Sequence, residues 1–286
     1  MDWTDEKPWH GLGIEVDSNL SVREMLLKAN IDRPLSKNKK LYSKANMVSF
    51  QFFKEFAGGG GAAIETIGTL DNKRIIWALA SLQADFTLQK VDAVKTYLLL
   101  TSLQEVRESI QIQFLIARGA CNSTLQVAIE ARTKFRNHFL LDTSEKFDAR
   151  MTKKAKETLG LGREAISQFA STAQSLVNRK VDDSTSKRYM FDVFQPETSL
   201  ELSLIGEKEV AEYAEENTKL AMEAITKAPG QTLETAQMTA WGLLNAVTYT
   251  ADHLLGKSKD SRLRLAWFGS SAKIKNRALD LAMKLL

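Results

Sequence analysis

The stretch Ala63-Ile64-Glu65-Thr66-Ile67-Gly68-Thr69-Leu70-Asp71-Asn72-Lys73-Arg74-Ile75-Ile76-Trp77-Ala78-Leu79-Ala80-Ser81-Leu82 decides the fold class. Two apolar runs flank the short polar break Asp71-Asn72, the pattern of a β-hairpin. Ala93 to Thr101 and Val106 to Ala117 supply two more strand-like runs. In the second of these, Ile110, Ile112 and Phe114 alternate with Gln111 and Gln113, and a period of two gives one wet face and one buried face. The expectation is an antiparallel sheet with one open face.

Helical patterns surround this strand region. Ser21, with Glu24 three residues on, has the spacing of a capping box and places a short helix over 21–30. Met47 to Ala57 carries Phe50, Phe52, Phe53 and Phe56 on what reads as a second helix, ended by Gly58-Gly59-Gly60-Gly61. Thr124 to Ala131 reads as helical, and Arg132 to Leu141 as a strand or a helix extension. Ala155, Leu159, Ile166, Phe169 and Leu176 recur near 3.6 residues along a long helix over 145–179. Residues 181–200 are polar and irregular, and helices are expected over 207–227, 234–255 and 271–285. The resulting fold class is α+β: an antiparallel β-meander with a long helix packed on it, followed by a C-terminal helical region. The division is 1–180 for the core, 181–206 for a linker or arm, and 207–286 for the helical region.

The chain has 286 residues, 44% hydrophobic and 26% charged, a globular composition rather than a disordered one. One cysteine leaves no internal disulfide and no CxxC motif, and three histidines argue against a His-rich metal site. The start Met1-Asp2-Trp3-Thr4-Asp5-Glu6 lacks the basic, apolar character of a secretory leader, and no run reaches the ~20 apolar residues of a membrane span. A cytoplasmic protein without cofactor or metal is expected.

The net charge of +4 hides blocks. Arg33 to Lys54 holds six basic residues and no acid; Arg132 to Arg188 and Lys257 to Leu286 each carry a net +6. Glu201 to Glu223 carries a net −5. Basic blocks suit a phosphate backbone, whose neutralisation releases counterions; solvated helix faces are the plainer account of any one block. Arg132, Lys134 and Arg136, at alternate positions, would share one face of a strand, with His138 in the same parity. They are the foremost candidate nucleic-acid contacts, with Lys39, Lys40, Lys73, Arg74, Lys153 and Lys154 as secondary ones. An edge strand guarded by charge is the competing reading of the stripe.

Catalytic motifs are sparse. Pro8-Trp9-His10-Gly11-Leu12-Gly13 offers a histidine, but a glycine-shaped turn anchored by Trp9 explains it as well. Asn122 or Ser123 suits a helix cap, and Cys121 a small buried residue. Asp252-His253 are adjacent, which on a helix points them ~100° apart and makes no dyad. No zinc-protease, EF-hand, phosphate-loop or nucleophile-elbow motif is present. An enzyme would need His10, His138 or His253 to converge in one pocket with a carboxylate, so no enzyme is expected.

Several motifs in order carry a family resemblance: Pro8-Trp9-His10-Gly11-Leu12-Gly13; Gly68-x-Leu70 leading to Arg74-Ile75-Ile76-Trp77-Ala78-Leu79-Ala80; and Cys121-Asn122-x-Thr124-Leu125. Thr239-Ala240-Trp241-Gly242-Leu243-Leu244-Asn245-Ala246-Val247-Thr248 and Asp252-His253 follow. Arg262-Leu263, Ala266-Trp267-Phe268-Gly269 and Lys275-x-Arg277-Ala278-Leu279 complete the series. The chain resembles the uncharacterised "phage/plasmid-like" family, a domain of unknown function found on laterally transferred elements. It departs from the family in a short Tyr42 to Met47 stretch and in lacking a turn after Thr101-Ser102. The order of helix, meander and long helix is similar, at fold level, to phage single-strand annealing proteins of the RecT/Redβ type. That similarity implies a ring- or filament-forming homo-oligomer that holds single-stranded DNA in a basic groove beside its sheet, in recombination. The alternative is an assembly or host-interaction protein of a mobile element with no nucleic-acid binding.

Overall fold

A computed structural model gives the structure, and it describes residues 3–31, 39–103, 109–127, 139–142, 147–195 and 207–286. The hairpin forms as its pattern requires. β2 (Ala63–Leu70) pairs antiparallel with β3 (Ile75–Ser81), with Leu70 opposite Ile75. The turn is longer than the two residues read from sequence: Asp71, Asn72 and Lys73 all take positive φ, and Asp71 N–H donates to the Asp260 carboxylate. Lys73 and Arg74 therefore sit in the turn, not the strand.

The sheet has eight strands, all pairs antiparallel, in the main order β1-β2-β3-β5-β6-β7. β1 is Gly13–Glu15, β5 Asp92–Leu103, β6 Ser109–Arg118 and β7 Thr124–Gln126. β4 (Phe86–Leu88) pairs with the start of β5, and β8 (Phe139–Asp142) with the start of β6. Thr124 to Gln126 is thus a strand where a helix was expected. The turn before it, with Asn122 at φ 52°, sends the chain back along β6 instead of out into a helix.

Alternation along the strands feeds two cores. One face presents Ile64, Ile67, Ile76, Ala78, Leu98, Leu100, Ile112 and Phe114 to helices. α1 (Val22–Lys28) opens on the capping box expected: Ser21 accepts from Glu24 N–H, and the Glu24 carboxylate accepts from Ser21 N–H at 2.8 Å. α2 (Lys39–Gly59) buries Phe50, Phe53 and Phe56, and α3 (Ala149–Asn178) buries Ala155, Leu159, Ile166 and Leu176. Phe52 meets Phe147, and a Cβ added to Gly59 would stand 3.7 Å from Ala155, so α2 and α3 run the same way.

The other face is covered, which corrects the expected open face. Trp77, Leu79, Tyr97 and Leu99 lie under Trp9, Leu263, Ala266 and Trp267. The indoles of Trp77 and Trp267 meet edge to face at 5.2 Å, and Trp9 joins Trp267 at 6.2 Å. Gly68 permits this: a Cβ there would fall 2.6 Å from Trp77 Cε2 and 2.5 Å from the Leu12 carbonyl oxygen. Gln113, read as a wet position, is buried.

Among the described residues, four helices and a π turn follow α4. α4 (Asp183–Phe194) occupies part of the stretch read as irregular; Asp182 caps it, accepting from Thr185 N–H, and Tyr189, Met190 and Val193 bury its inner face. α5 is Glu207–Lys227, α6 Ala240–Tyr249, α7 Lys259–Phe268 and α8 Ser270–Met283. The helix expected over 234–255 is shorter. Thr239 caps α6 by accepting from Gly242 N–H, and the residues after Tyr249 form a π turn, Thr250–Leu254. α6 packs on α3, while α7 lies across the opposite face of the sheet, so the chain passes from one face to the other around β7.

Candidate functional site

Of the segments that carried the resemblance, those at 121–125, 239–248, 252–253, 262–269 and 275–279 meet around β7, while 68–80 forms β2 and β3. Thr124, on β7, donates from its N–H to the Asp252 carboxylate at 2.5 Å and from its hydroxyl at 2.8 Å. The other Asp252 oxygen accepts from Lys275 Nζ at 2.6 Å, and Lys275 also donates to Thr124 Oγ1 at 3.0 Å. All three side chains are buried. Burial pulls the Lys275 ammonium below the usual lysine range, and the Asp252 charge opposes that pull. This ion pair ties the π turn and α8 to the sheet edge.

A second buried pair holds the other side of the edge. The Asp92 carboxylate, at the start of β5, accepts from Arg118 Nε at 2.9 Å, Arg118 Nη2 at 2.8 Å, Thr235 Oγ1 at 2.9 Å and Trp241 Nε1 at 3.0 Å. Arg118 also donates to the Gly230 carbonyl at 2.8 Å. Residue spacing carries no sign of either pair, because the partners lie far apart along the chain.

His253 stacks on Tyr249 with ring centroids 4.5 Å apart. The Tyr249 hydroxyl in turn accepts from Thr4 N–H at 2.9 Å and donates to the Thr4 carbonyl at 3.0 Å. The Cys121 carbonyl engages one ring nitrogen of His253, and Nε2 has no partner among the described residues. Burial is the main cause that lowers the His253 pKa from its ordinary 6.5. The unfolded chain then takes up a proton below pH 6.5 that the folded ring resists. His253's contribution to stability is complete above that pH and declines as pH falls toward the folded value. Denaturant unfolding between pH 7 and pH 5 should show this loss, with a flatter profile in His253→Asn; equal slopes would contradict it.

His10, Asp252 and His253 line one cleft with Thr4, Glu6, Lys7, Pro8, Lys259 and Arg262. Two of the three histidines thus share a pocket with carboxylates, while His138 lies outside the described residues. Asp252 is spent on Thr124 and Lys275, so it does not orient either ring as a catalytic partner. Cys121 is buried, its Sγ 3.0 Å from Ser123 Oγ, as a small core residue. Among the described residues, no group of three or more His, Cys, Asp or Glu is placed to hold a metal.

The basic residues singled out in the sequence fall in several places. Arg132, Lys134 and Arg136 lie outside the described residues. Lys39 and Lys40 open α2, with their side chains outside the described set. Lys73 donates to the Asn30 carbonyl at 2.9 Å, and Arg74 stands 3.7 Å from Asp71. Lys153 and Lys154 are exposed near the start of α3, Lys153 being 3.9 Å from Glu157. The structure adds Arg150 and Lys156, exposed in the same two turns. The charge of the 132–188 block pointed to them only in bulk. Trp241 and Trp267 are core anchors, as read.

α3 opens on Asp148, whose carboxylate accepts from Met151 N–H at 2.9 Å; in the first turn Arg150 faces the positive end of the macrodipole, and Lys153, Lys154 and Lys156 follow in the next. α2 likewise begins in Lys39-Lys40 with no acid in its first turn, and because the two helices run the same way their starts point the same way. Such cations do not stabilise the helices that carry them.

Among the described residues, no helix is long and apolar enough to cross a membrane. No curated protein and no solved structure matches the chain at a significant level. The model of one family, described as "Domain of unknown function (DUF932)", matches residues 40–267, which takes in strands β2 to β8, the long helix, and Thr124 and Asp252 of the cluster around β7, but not β1 or Lys275. The chain therefore belongs to the DUF932 family.

Proposed function

We propose that the protein binds single-stranded DNA as a non-enzymatic, oligomeric annealing or recombination protein of a phage or plasmid. The observation that carries this reading is the start of α3, where Arg150, Lys153, Lys154 and Lys156 stand exposed within two turns, with the cap Asp148 and Glu157 as the acids beside them. Four cations against two acids leave this end of the helix positive, and a phosphate backbone supplies a row of anions to meet it. The start of α2 points the same way, and Arg132, Lys134 and Arg136 belong to the chain segment that leads toward α3. Because both faces of the sheet are covered, the strand would run beside the sheet over these helix ends, not across it.

Titration of a fluorescent single-stranded oligonucleotide at several salt concentrations tests the reading. Wild type should bind tightly and lose affinity with salt, with a duplex bound more weakly. Replacing Arg150, Lys153, Lys154 and Lys156 by Ala should weaken binding and reduce the salt slope by ~0.7 for each phosphate no longer neutralised. The Arg132→Ala, Lys134→Ala, Arg136→Ala variant should act in the same direction. Unchanged affinity and slope in both variants would reject the site.

A second reading, assembly between copies through opposite charge, is favoured by α5, where Glu215 and Glu216 are exposed beside the exposed Tyr213. Association that persists without DNA and dissolves with salt in sedimentation would support it; a monomer at every salt would not.

A further inference from the structure

We propose that the cleft between residues 4–10 and the turn from Asp252 to Arg262 is a binding site for the phosphate group of a phosphomonoester. The cleft is small, about 50 Å³. Lys7, Lys259 and Arg262 line it. Against them stand Glu6, 3.4 Å from Lys259, and Asp252, whose charge Lys275 neutralises inside the wall at 2.6 Å. The surplus in the cleft is positive.

The deeper wall is unanswered in both senses of a hydrogen bond. His253 is only 7% exposed, and its Nε2 has no partner among the described residues. In the tautomer that carries its proton on Nδ1, Nε2 keeps a lone pair and can accept. Arg262 donates from Nη1 to the His253 carbonyl at 2.8 Å, while its buried Nε–H has no partner among the described residues. One cleft thus holds an orphaned acceptor beside an orphaned, charged donor. Buried polar atoms of this kind are costly to leave unpaired.

A phosphomonoester satisfies both. Its second pKa, ~6, leaves it partly protonated near neutral pH, so one oxygen can donate to Nε2 while the others accept from Arg262, Lys7 and Lys259. Both orphaned atoms have almost no exposed surface, so the side chains around them must shift to admit a phosphate oxygen; at the rim Lys259 stands 3.4 Å from Glu6 and Lys7 3.5 Å from Glu15. The shared chemistry has two sources, a free nucleotide or the phosphorylated end of a strand. The site stands apart from the cations of α3 and does not depend on them.

Calorimetric titration of the full chain with inorganic phosphate, adenosine 5′-monophosphate, and a short oligothymidylate with or without a 5′-phosphate tests the proposal. Phosphate and the mononucleotide should bind competitively. A preference for the 5′-phosphorylated oligonucleotide would name a strand end as the source; binding of the mononucleotide without that preference would name a free nucleotide. Lys7→Ala with Lys259→Ala should weaken phosphate binding at least tenfold, and Arg262→Gln should do so at an unchanged fold checked by circular dichroism. The α3 variants should leave it unchanged, which separates this site from the strand-binding reading. No phosphate or mononucleotide binding at millimolar concentration, or binding indifferent to the Lys7 and Lys259 substitutions, would overturn it.

Discussion

Arg118→Met will lower stability by about 3–5 kcal/mol, because it leaves the Asp92 carboxylate buried without its counter-charge. Thr235 and Trp241 still donate to that carboxylate, but two neutral donors do not offset a buried charge. For a chain of this size the transition should fall by roughly 6–20 °C. Thermal and denaturant unfolding measure it. Arg118→Met combined with Asp92→Asn should recover much of the loss, since no unpaired charge then remains. A single variant within about 1 kcal/mol of wild type would show that the pair does not hold the 230–241 segment to the sheet.

Trp267→Ala should cost about 3–5 kcal/mol, the range for emptying a large aromatic site in a core. Its ring fills the space between Trp77 and Trp9, and the α7 backbone is held there by Gln126 Nε2, which donates to the Trp267 carbonyl at 2.6 Å. Trp267→Phe should be much milder. The Trp267 indole N–H is buried with no partner among the described residues, so removing it sacrifices no hydrogen bond. Comparing the two unfolding midpoints decides the matter: equal losses would mean that the indole N–H is satisfied in solution.

The central hairpin and the capping box are legible in the sequence because each is local. Ala63 to Leu82 holds both strands and their turn, and Ser21 with Glu24 satisfies a helix start within one turn. β7 reads as a helix because its three residues are too few for a period to show, and Asn122 at positive φ reverses the chain without a glycine to mark it. α4 escapes notice because its apolar positions crowd into the six residues Tyr189 to Phe194, too short a run to show a helical period, after the polar start Asp183 to Arg188. α7 has the same difficulty: Leu263, Ala266 and Trp267 make a narrow stripe whose meaning depends on Trp77, far away in the chain. The same separation hides the cleft. Each histidine looks isolated in sequence, and only the docking of residues 4–10 beside the π turn places His10 and His253 on one wall.

The outermost strands of the main path, Gly13–Glu15 and Thr124–Gln126, are three residues each. An edge this short offers a newcomer almost no ladder of free N–H and C=O groups to zip onto. Copies of this chain that join into a ring or filament would then meet through side chains, keeping each sheet its own. Such an assembly can be taken apart by salt or by a competing strand of DNA, whereas a continuous cross-strand ribbon would resist both.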